Sequence, residues 1–279
     1  MKNAIVVLTK GYKKLKFYHK LITRNISIYN HIFIQHKINF NEYDIIIFHE
    51  GNITNEQQIY IQSFTPLMKL IFKDIKKTKP YTAFDNSKNK INNELCPPSK
   101  LSNKFSLGYK HMCHFWSIDY LNYLKSYKYI IRIDEDCYLL QFNHKILKKM
   151  NENNINFYSC SWSKNWKRSD TKEVVIGLQK TIQEFIKQNN LETKIDFLDI
   201  KCPYTNFMII DIEYFRNNKL YNKYLEHIDN TSGIYSNRWG DLPIWGIFLS
   251  LFLKKNKYYN ILFLKGIKYI HSSHGNSII

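Results

Sequence analysis

The 279-residue sequence lacks paired cysteines, long apolar runs and arginine-rich or repeated segments, and each absence removes a class of protein. Its five cysteines (Cys96, Cys113, Cys137, Cys160 and Cys202) are scattered and odd in number, with no C-x-x-C among them. Neither a cysteine-based zinc module nor a disulfide framework is indicated, which suits a reducing compartment. No stretch reaches the ~18 apolar residues of a membrane span, and the nearest, Ile244 to Leu253, reads as a short buried helix. The opening MKNAIVVLTKGYKK has too short an apolar run for a signal peptide, so a soluble, cytoplasmic protein is expected. The formal charge is +18, but no C₂H₂ spacing or RNA-binding signature accompanies it. Lys, Asn, Ile, Tyr and Phe are abundant together, the bias of an AT-rich coding sequence, so nucleic acid is not the expected partner. The positive field still favours a phosphate-bearing substrate. With 44% hydrophobic and 16% aromatic residues there is material for a core, enough for one large α/β domain or two small ones.

The most informative stretch is YKYIIRIDEDCYLL, Tyr127 to Leu140. Tyr129, Ile130, Ile131 and Ile133 read as a buried strand that ends in Asp134, Glu135 and Asp136, because a buried strand cannot carry three unpaired carboxylates. Ligands of open α/β sheets bind outside the carboxyl ends of strands. Asp134 and Asp136, one residue apart on a turn, have the chemistry to share Mg²⁺ or Mn²⁺, and a cation there bridges two phosphates. That arrangement fits an enzyme using a nucleoside-diphosphate sugar. The same triplet also reads as a solvated acidic turn.

Along the chain, Ala4 to Leu8 reads as a strand followed by a loop with Lys10 and Gly11, and Asp44 to His49 as a second strand. Thr54 and Gln57 have capping-box spacing, predicting a helix from about Asn55. Met68 to Phe72 is a third strand candidate, and the polar stretch 76–106 an irregular connection. Met112, Phe115, Trp116, Tyr120, Tyr123 and Leu124 share one face of a helix that feeds the acidic strand. Phe157 to Trp162, Phe207 to Ile210 and Ile261 to Leu264 read as further strands, and 164–172 as a basic loop. Asp241, just before Pro243 and an apolar helix, reads as its N-cap. Tyr269, His271 and His274 fall in a short polar tail.

Four blocks in this order carry a resemblance: Gly108 to Trp116 (GYKHMCHFW), the acids at 134–136, Asn206-Phe207 with Asp211, and Arg238 to Pro243 (RWGDLP). Together they resemble glycosyltransferase family 15, the fungal α-1,2-mannosyltransferases, over roughly Tyr109 to His274. The resemblance implies a single GT-A-like, Rossmann-like domain over 1–279, with a central mixed sheet flanked by helices. Residues 1–106 would be a nucleotide-binding half and 107–279 a metal, donor-sugar and acceptor half. It also implies GDP-mannose as donor, Mn²⁺ (or Mg²⁺) as cofactor, a glycan or glycoprotein acceptor, and retention of configuration. Asp134 stands where the family has a metal-binding glutamate and Asp136 at the following acid, with Asp-Glu-Asp replacing Glu-Pro-Asp. His271 matches a late histidine of the metal site, Tyr109 a tyrosine near the diphosphate, and Asp241 an acid near acceptor or sugar. Where the family has a glutamate after Asn-Phe, a candidate nucleophile, this chain has Met208. Asp211 and Asp241 are the acids nearest in sequence to take that role; otherwise the leaving phosphate assists attack from the same face.

Lys10 and Arg238 are candidate phosphate contacts, or solvated surface charges. Trp116, Trp162, Trp166, Tyr204, Tyr235 and Trp239 offer sugar-stacking faces, or ordinary packing. Two other readings stay open. A metal-dependent nuclease or phosphotransferase would use the same Asp134, Asp136 and His271, and a basic nucleic-acid binder would follow from charge alone.

Overall fold

The computed structural model describes residues 1–77, 100, 102–163, 175–193, 197, 200–258, 266–274 and 277–278. The expected strand Ile261 to Leu264, the basic loop 164–172 with Trp166, and most of the polar connection, including Cys96, lie outside the described residues.

The described strands are β1 (Lys2–Leu8), β2 (Tyr43–His49), β3 (Leu70–Asp74), β4 (Tyr127–Ile133), β5 (Cys137–Gln141), β6 (Phe157–Ser159), β7 (Trp162–Ser163), β8 (Cys202–Pro203), β9 (Phe207–Asp211), β10 (Lys268–His271) and β11 (Ser277–Ile278). Six of them form one mixed sheet in the order β3-β2-β1-β4-β9-β6. The β3-β2-β1-β4 part is parallel, whereas β9 runs antiparallel to both β4 and β6. The sheet therefore draws strands from both sides of residue 106.

The parallel strands are nearly continuous apolar runs because both of their faces are buried. Successive side chains alternate between two cores. Ala4, Val6, Ile46, Phe48, Ile130, Met208 and Ile210 face one cluster, with the helix residues Trp116, Tyr120, Trp245 and Phe248. Ile5, Val7, Ile45, Ile47, Ile131, Ile133 and Ile209 face the other, with Leu21, Ile22 and Ile61 from helices His19–Ile28 and Asn55–Ser63. Each isoleucine buried in this way contributes about 2 kcal/mol.

The helix predicted over Tyr109 to Leu124 runs from Leu107 to Leu124, with a wider turn at Phe115–Asp119 between its two α-helical parts. Β3 starts two residues later than expected, and the expected strand Phe157 to Trp162 is two short strands, β6 and β7. The expected polar tail is a correction of another kind. Tyr269 and His271 lie in β10, which pairs antiparallel with β5, leaving Tyr269 fully buried. The ladder with β5, invisible locally, draws them inward.

Candidate active site

The acids at 134–136 follow β4 at its carboxyl end, and each is held by a different part of the molecule. Asp134 N–H donates to the Asn206 carbonyl at 3.0 Å, tying the turn to the start of β9. Its carboxylate accepts from Arg132 Nε at 2.8 Å and Nη2 at 3.2 Å. Arg132 is buried on β4, its guanidinium 4.3 Å from the Trp116 ring centre, and its Nη1 donates to Asp241 at 2.5 Å. The wider turn at Phe115–Asp119 delivers that tryptophan. One desolvated guanidinium thus holds one carboxylate from its own segment and one from more than a hundred residues further along the chain, the geometry that makes a buried charge tolerable. Burial pushes the Asp134 carboxyl above its ordinary value; Arg132 opposes the shift, and the negative charges of Asp241 and Asp136 add to it.

Glu135 points to the first loop, accepting from the Thr9 and Tyr12 hydroxyls. Gly11 in that loop lies so close to Asn52 that a Cβ would sit 2.3 Å from the Asn52 carbonyl oxygen, so only glycine fits. Lys10 is exposed, with its ammonium 5.4 Å from the Tyr12 ring centre.

Asp136 meets His271, whose Nε2 lies 3.4 Å from the carboxylate, and also accepts from the Ser273 hydroxyl. Burial works against ionisation here, but the hydrogen bonds from His271 and Ser273, with the charges of His271 and Lys20, outweigh it and bring the carboxyl down to about 2. The other ring nitrogen, Nδ1, is 3.0 Å from Asn206 Nδ2, and Tyr269 Oη donates to Asn206 Oδ1 at 2.7 Å. Cys137 completes a group of three potential metal donors with Asp136 and His271, all within 4.8 Å of one another. Asp134, expected to be the first metal ligand, is turned toward Arg132 and stands outside that group. The ionised Asp136 and the imidazole beside it fit a divalent cation by their chemistry.

Tyr109 and Arg238 form a pair, Nη2 of Arg238 donating to the Tyr109 hydroxyl, with the guanidinium 4.3 Å from the Phe105 ring centre and 4.8 Å from that of Tyr109. Arg238 takes a left-handed backbone (φ 57°), unusual for a non-glycine residue, and its buried Nε has no hydrogen-bond partner among the described residues. Gly233 makes room for this loop, since a Cβ there would strike the Trp239 ring at 2.4 Å. Burial raises the Tyr109 phenol well above its ordinary value, with Cys113 and Asp241 adding to the shift and Arg238 opposing it.

Two expectations are corrected. Asp241 is not the N-cap of the helix Asp241–Phe252; Gly240 holds that position, and Asp241 stands in the first turn with its side chain on Arg132. Asp211 is not in the site. It caps the helix Ile212–Asn217 by accepting from Tyr214 N–H at 2.9 Å, and it lies opposite Tyr129 in the β4–β9 ladder. That is five residues, roughly 16 Å, back along the strand from Asp134. Met208 is fully buried opposite Arg132. Trp116, Tyr235 and Trp239 are core residues rather than open stacking faces.

Sequence reasoning missed Arg132, Cys137 and Arg24. Arg24 is wholly buried and donates to the carbonyls of Ile133 (2.8 Å) and Val6 (3.1 Å), bracing the ends of β4 and β1. Burial lowers it to about 9, opposed chiefly by the negative charge of Asp134, with Glu135 adding to the opposition. Arg132 had a signal, because a charge inside an apolar strand needs a partner. Arg24 had none.

The sequence profile described as glycolipid 2-alpha-mannosyltransferase matches residues 5–277. The chain belongs to this family, glycosyltransferase family 15. Glycolipid 2-alpha-mannosyltransferase 1 of Candida albicans is 30% identical over 208 residues, covering 67% of this chain and 45% of that protein. Probable mannosyltransferase KTR3 of Saccharomyces cerevisiae is 29% identical over 181 residues, covering 60% of this chain and 43% of that protein. The chain thus spans under half the length of these curated relatives. Among solved structures, the mannosyltransferase Ktr4p from S. cerevisiae superposes with a TM-score of 0.72 at 17% identity, covering 97% of this chain and 70% of that one. Core-mannan synthase A from Aspergillus fumigatus, in its Mn/GDP form, gives 0.69 at 19% identity, covering 97% and 74%. The fold is that of these GT-A-like glycosyltransferases. Among the described residues no helix is long and apolar enough to cross a membrane.

Proposed function

We propose that this family member transfers a mannosyl group from GDP-mannose to a hydroxyl of a glycan or glycoprotein acceptor, with retention, using Mn²⁺. The observation that carries the reading is the pairing of Asp136 with His271 at the carboxyl end of β4, in a chain of this family. Asp136 and His271 would hold the metal, which when bound supplies charge neutralisation for the departing diphosphate. Arg238, whose Nε has no hydrogen-bond partner among the described residues, and Tyr109 serve the diphosphate, with Lys10 and Gly11 at the mouth of the first loop. Asp134 is held in place by Arg132 for the donor sugar.

Retention must be achieved without the glutamate that Met208 replaces. Asp211 is remote, and the Asp241 charge is already compensated by Arg132, which makes it a poor nucleophile. Same-face attack, with the leaving diphosphate accepting the acceptor's proton, is therefore the favoured route. Asp241 then orients acceptor or sugar.

The test is thermal unfolding with GDP and GDP-mannose, with Mn²⁺ or chelator, for wild type and Asp136→Ala. A ligand at about a hundred times its dissociation constant adds ~2.7 kcal/mol. The expected result is a Mn²⁺-dependent shift lost in Asp136→Ala. No shift with any nucleotide sugar, alongside metal-dependent cleavage of polynucleotide, would replace this reading with the nuclease.

A further inference from the structure

We propose that the segment 13–17, beside the candidate active site, docks on the surface of an anionic lipid bilayer. Its lysines would meet the headgroups while Leu15 and Phe17 enter the acyl boundary. The charge is one-sided. Between Met1 and Asn41 the sequence has no Asp or Glu, whereas Lys10, Lys13, Lys14, Lys16 and Lys20 follow one another closely. Lys13, Lys14 and Lys16 are exposed in the fold, and Leu15 and Phe17, set among them, stay 43% and 47% exposed. A single exposed apolar residue is ordinary, but two of them interleaved with exposed lysines make the pattern of an interfacial anchor. Lys16 Nζ lies 5.4 Å from the Phe17 ring centre, and Lys10 Nζ 5.4 Å from that of Tyr12. Apolar bodies and cationic heads thus stand side by side, as a headgroup boundary requires.

The fold itself imposes this exposure. Leu15–Tyr18 is one short helical turn, with Phe17 N–H donating to the Lys14 carbonyl at 3.1 Å. Tyr18, at its end, is fully buried; its hydroxyl accepts from Tyr12 N–H at 2.9 Å and donates to Gln57 Oε1 at 3.0 Å. Pinning the turn from within leaves Leu15 and Phe17 on its outer side. The same surface borders the acidic turn. The Thr9 and Tyr12 hydroxyls donate to Glu135, and Lys20 Nζ lies 3.4 Å from Ser273 Oγ, whose hydroxyl donates to Asp136. Docking here brings the carboxyl end of β4 toward the bilayer. That suits an acceptor displayed at a membrane, a step that rests on the transferase reading above, whereas the docking surface does not. A peripheral contact of this kind needs no membrane-spanning helix.

The probe is vesicles of phosphatidylcholine, alone or mixed with phosphatidylserine, sedimented with the purified full chain without metal or nucleotide. Wild type should bind the phosphatidylserine vesicles only, and less as salt rises. The triple variant Lys13→Gln, Lys14→Gln, Lys16→Gln should lose about a hundredfold in partitioning. Leu15→Ser with Phe17→Ser should lose about tenfold or more at unchanged charge. Lys180→Gln, Lys219→Gln, Lys223→Gln removes the same charge from exposed positions on the helices Leu178–Gln188 and Lys219–Asn230, and should change binding far less. Tryptophan emission of Phe17→Trp should move to the blue when phosphatidylserine vesicles are added. No binding of wild type to these vesicles overturns the proposal. So does an equal loss in the two lysine variants, which would assign binding to net charge, or a Leu15/Phe17 variant that binds like wild type. Thermal unfolding with GDP and Mn²⁺ separates the two readings: vesicle binding without a nucleotide shift keeps this surface and removes the transferase, and a nucleotide shift without vesicle binding does the reverse.

Discussion

Arg132 shows how much of this site depends on a single side chain. It is buried between Asp134 and Asp241 and stacked on Trp116, so each of its contacts joins a different block of the sequence. Leucine in its place leaves two carboxylates without their counter-charge, one of them itself buried. The cost of breaking such an arrangement is about 3–5 kcal/mol, far above that of a surface ion pair. Urea unfolding of Arg132→Leu should show that loss. Arg132→Leu combined with Asp241→Leu should recover part of it, because the second change removes the stranded Asp241 charge. A double variant as unstable as the sum of the single changes would mean that the two residues are energetically independent. The same residue explains Asp134. Its carboxylate is engaged at two points by a guanidinium, whereas that of Asp136 faces an imidazole.

The elements around the site were unevenly legible, for physical reasons. Β1, β2, β4 and β9 announce themselves as β-branched runs because both sheet faces are buried, and the capping box at Thr54 and Gln57 is read directly from its spacing. Β5 and β10 carry no such pattern. They are half-exposed and short, and only pairing within the sheet β11-β10-β5 makes them strands, so His271 looked like a tail residue and Cys137 went unnoticed. Asp211 and Asp241 were both recognisable as acids beside helix starts, but only the fold says that one caps a helix and the other grips Arg132. The capping box reaches further than its helix. Besides closing the box, Gln57 donates from Nε2 to the Tyr12 carbonyl at 2.8 Å and accepts at Oε1 from the Tyr18 hydroxyl at 3.0 Å. Tyr12 in turn donates to Glu135. Gln57→Leu should therefore cost about 1–2 kcal/mol. Hydrogen exchange should report faster opening at residues 9–12 as well as at the helix start. Faster exchange confined to residues 54–57 would show that the loop holds itself.

At the scale of the whole molecule, the helix beginning at Leu107 is pinned to the helix Lys219–Asn230 by a buried charge. His114 Nδ1 lies 2.6 Å from Asp119 and Nε2 2.6 Å from Asp229, so both ring nitrogens face carboxylates. Burial disfavours the imidazolium, but the hydrogen bonds and charges of Asp119 and Asp229 prevail and hold His114 up to about 9. In the unfolded chain the same ring titrates near 6.5. Below that value both states carry the proton and the contribution to stability is complete. Between about 6.5 and 9 the folded state binds a proton that the unfolded state has released, so stability falls as pH rises through this window. The loss is on the order of 3 kcal/mol at its end. Chemical unfolding at pH 6, 7.5 and 9 should follow that decline in wild type and show a much flatter profile in His114→Gln, whatever the overall stability of the variant. It is the slope that tests the triad: equal slopes in the two proteins would assign the alkaline loss to other groups and leave His114 neutral in the fold.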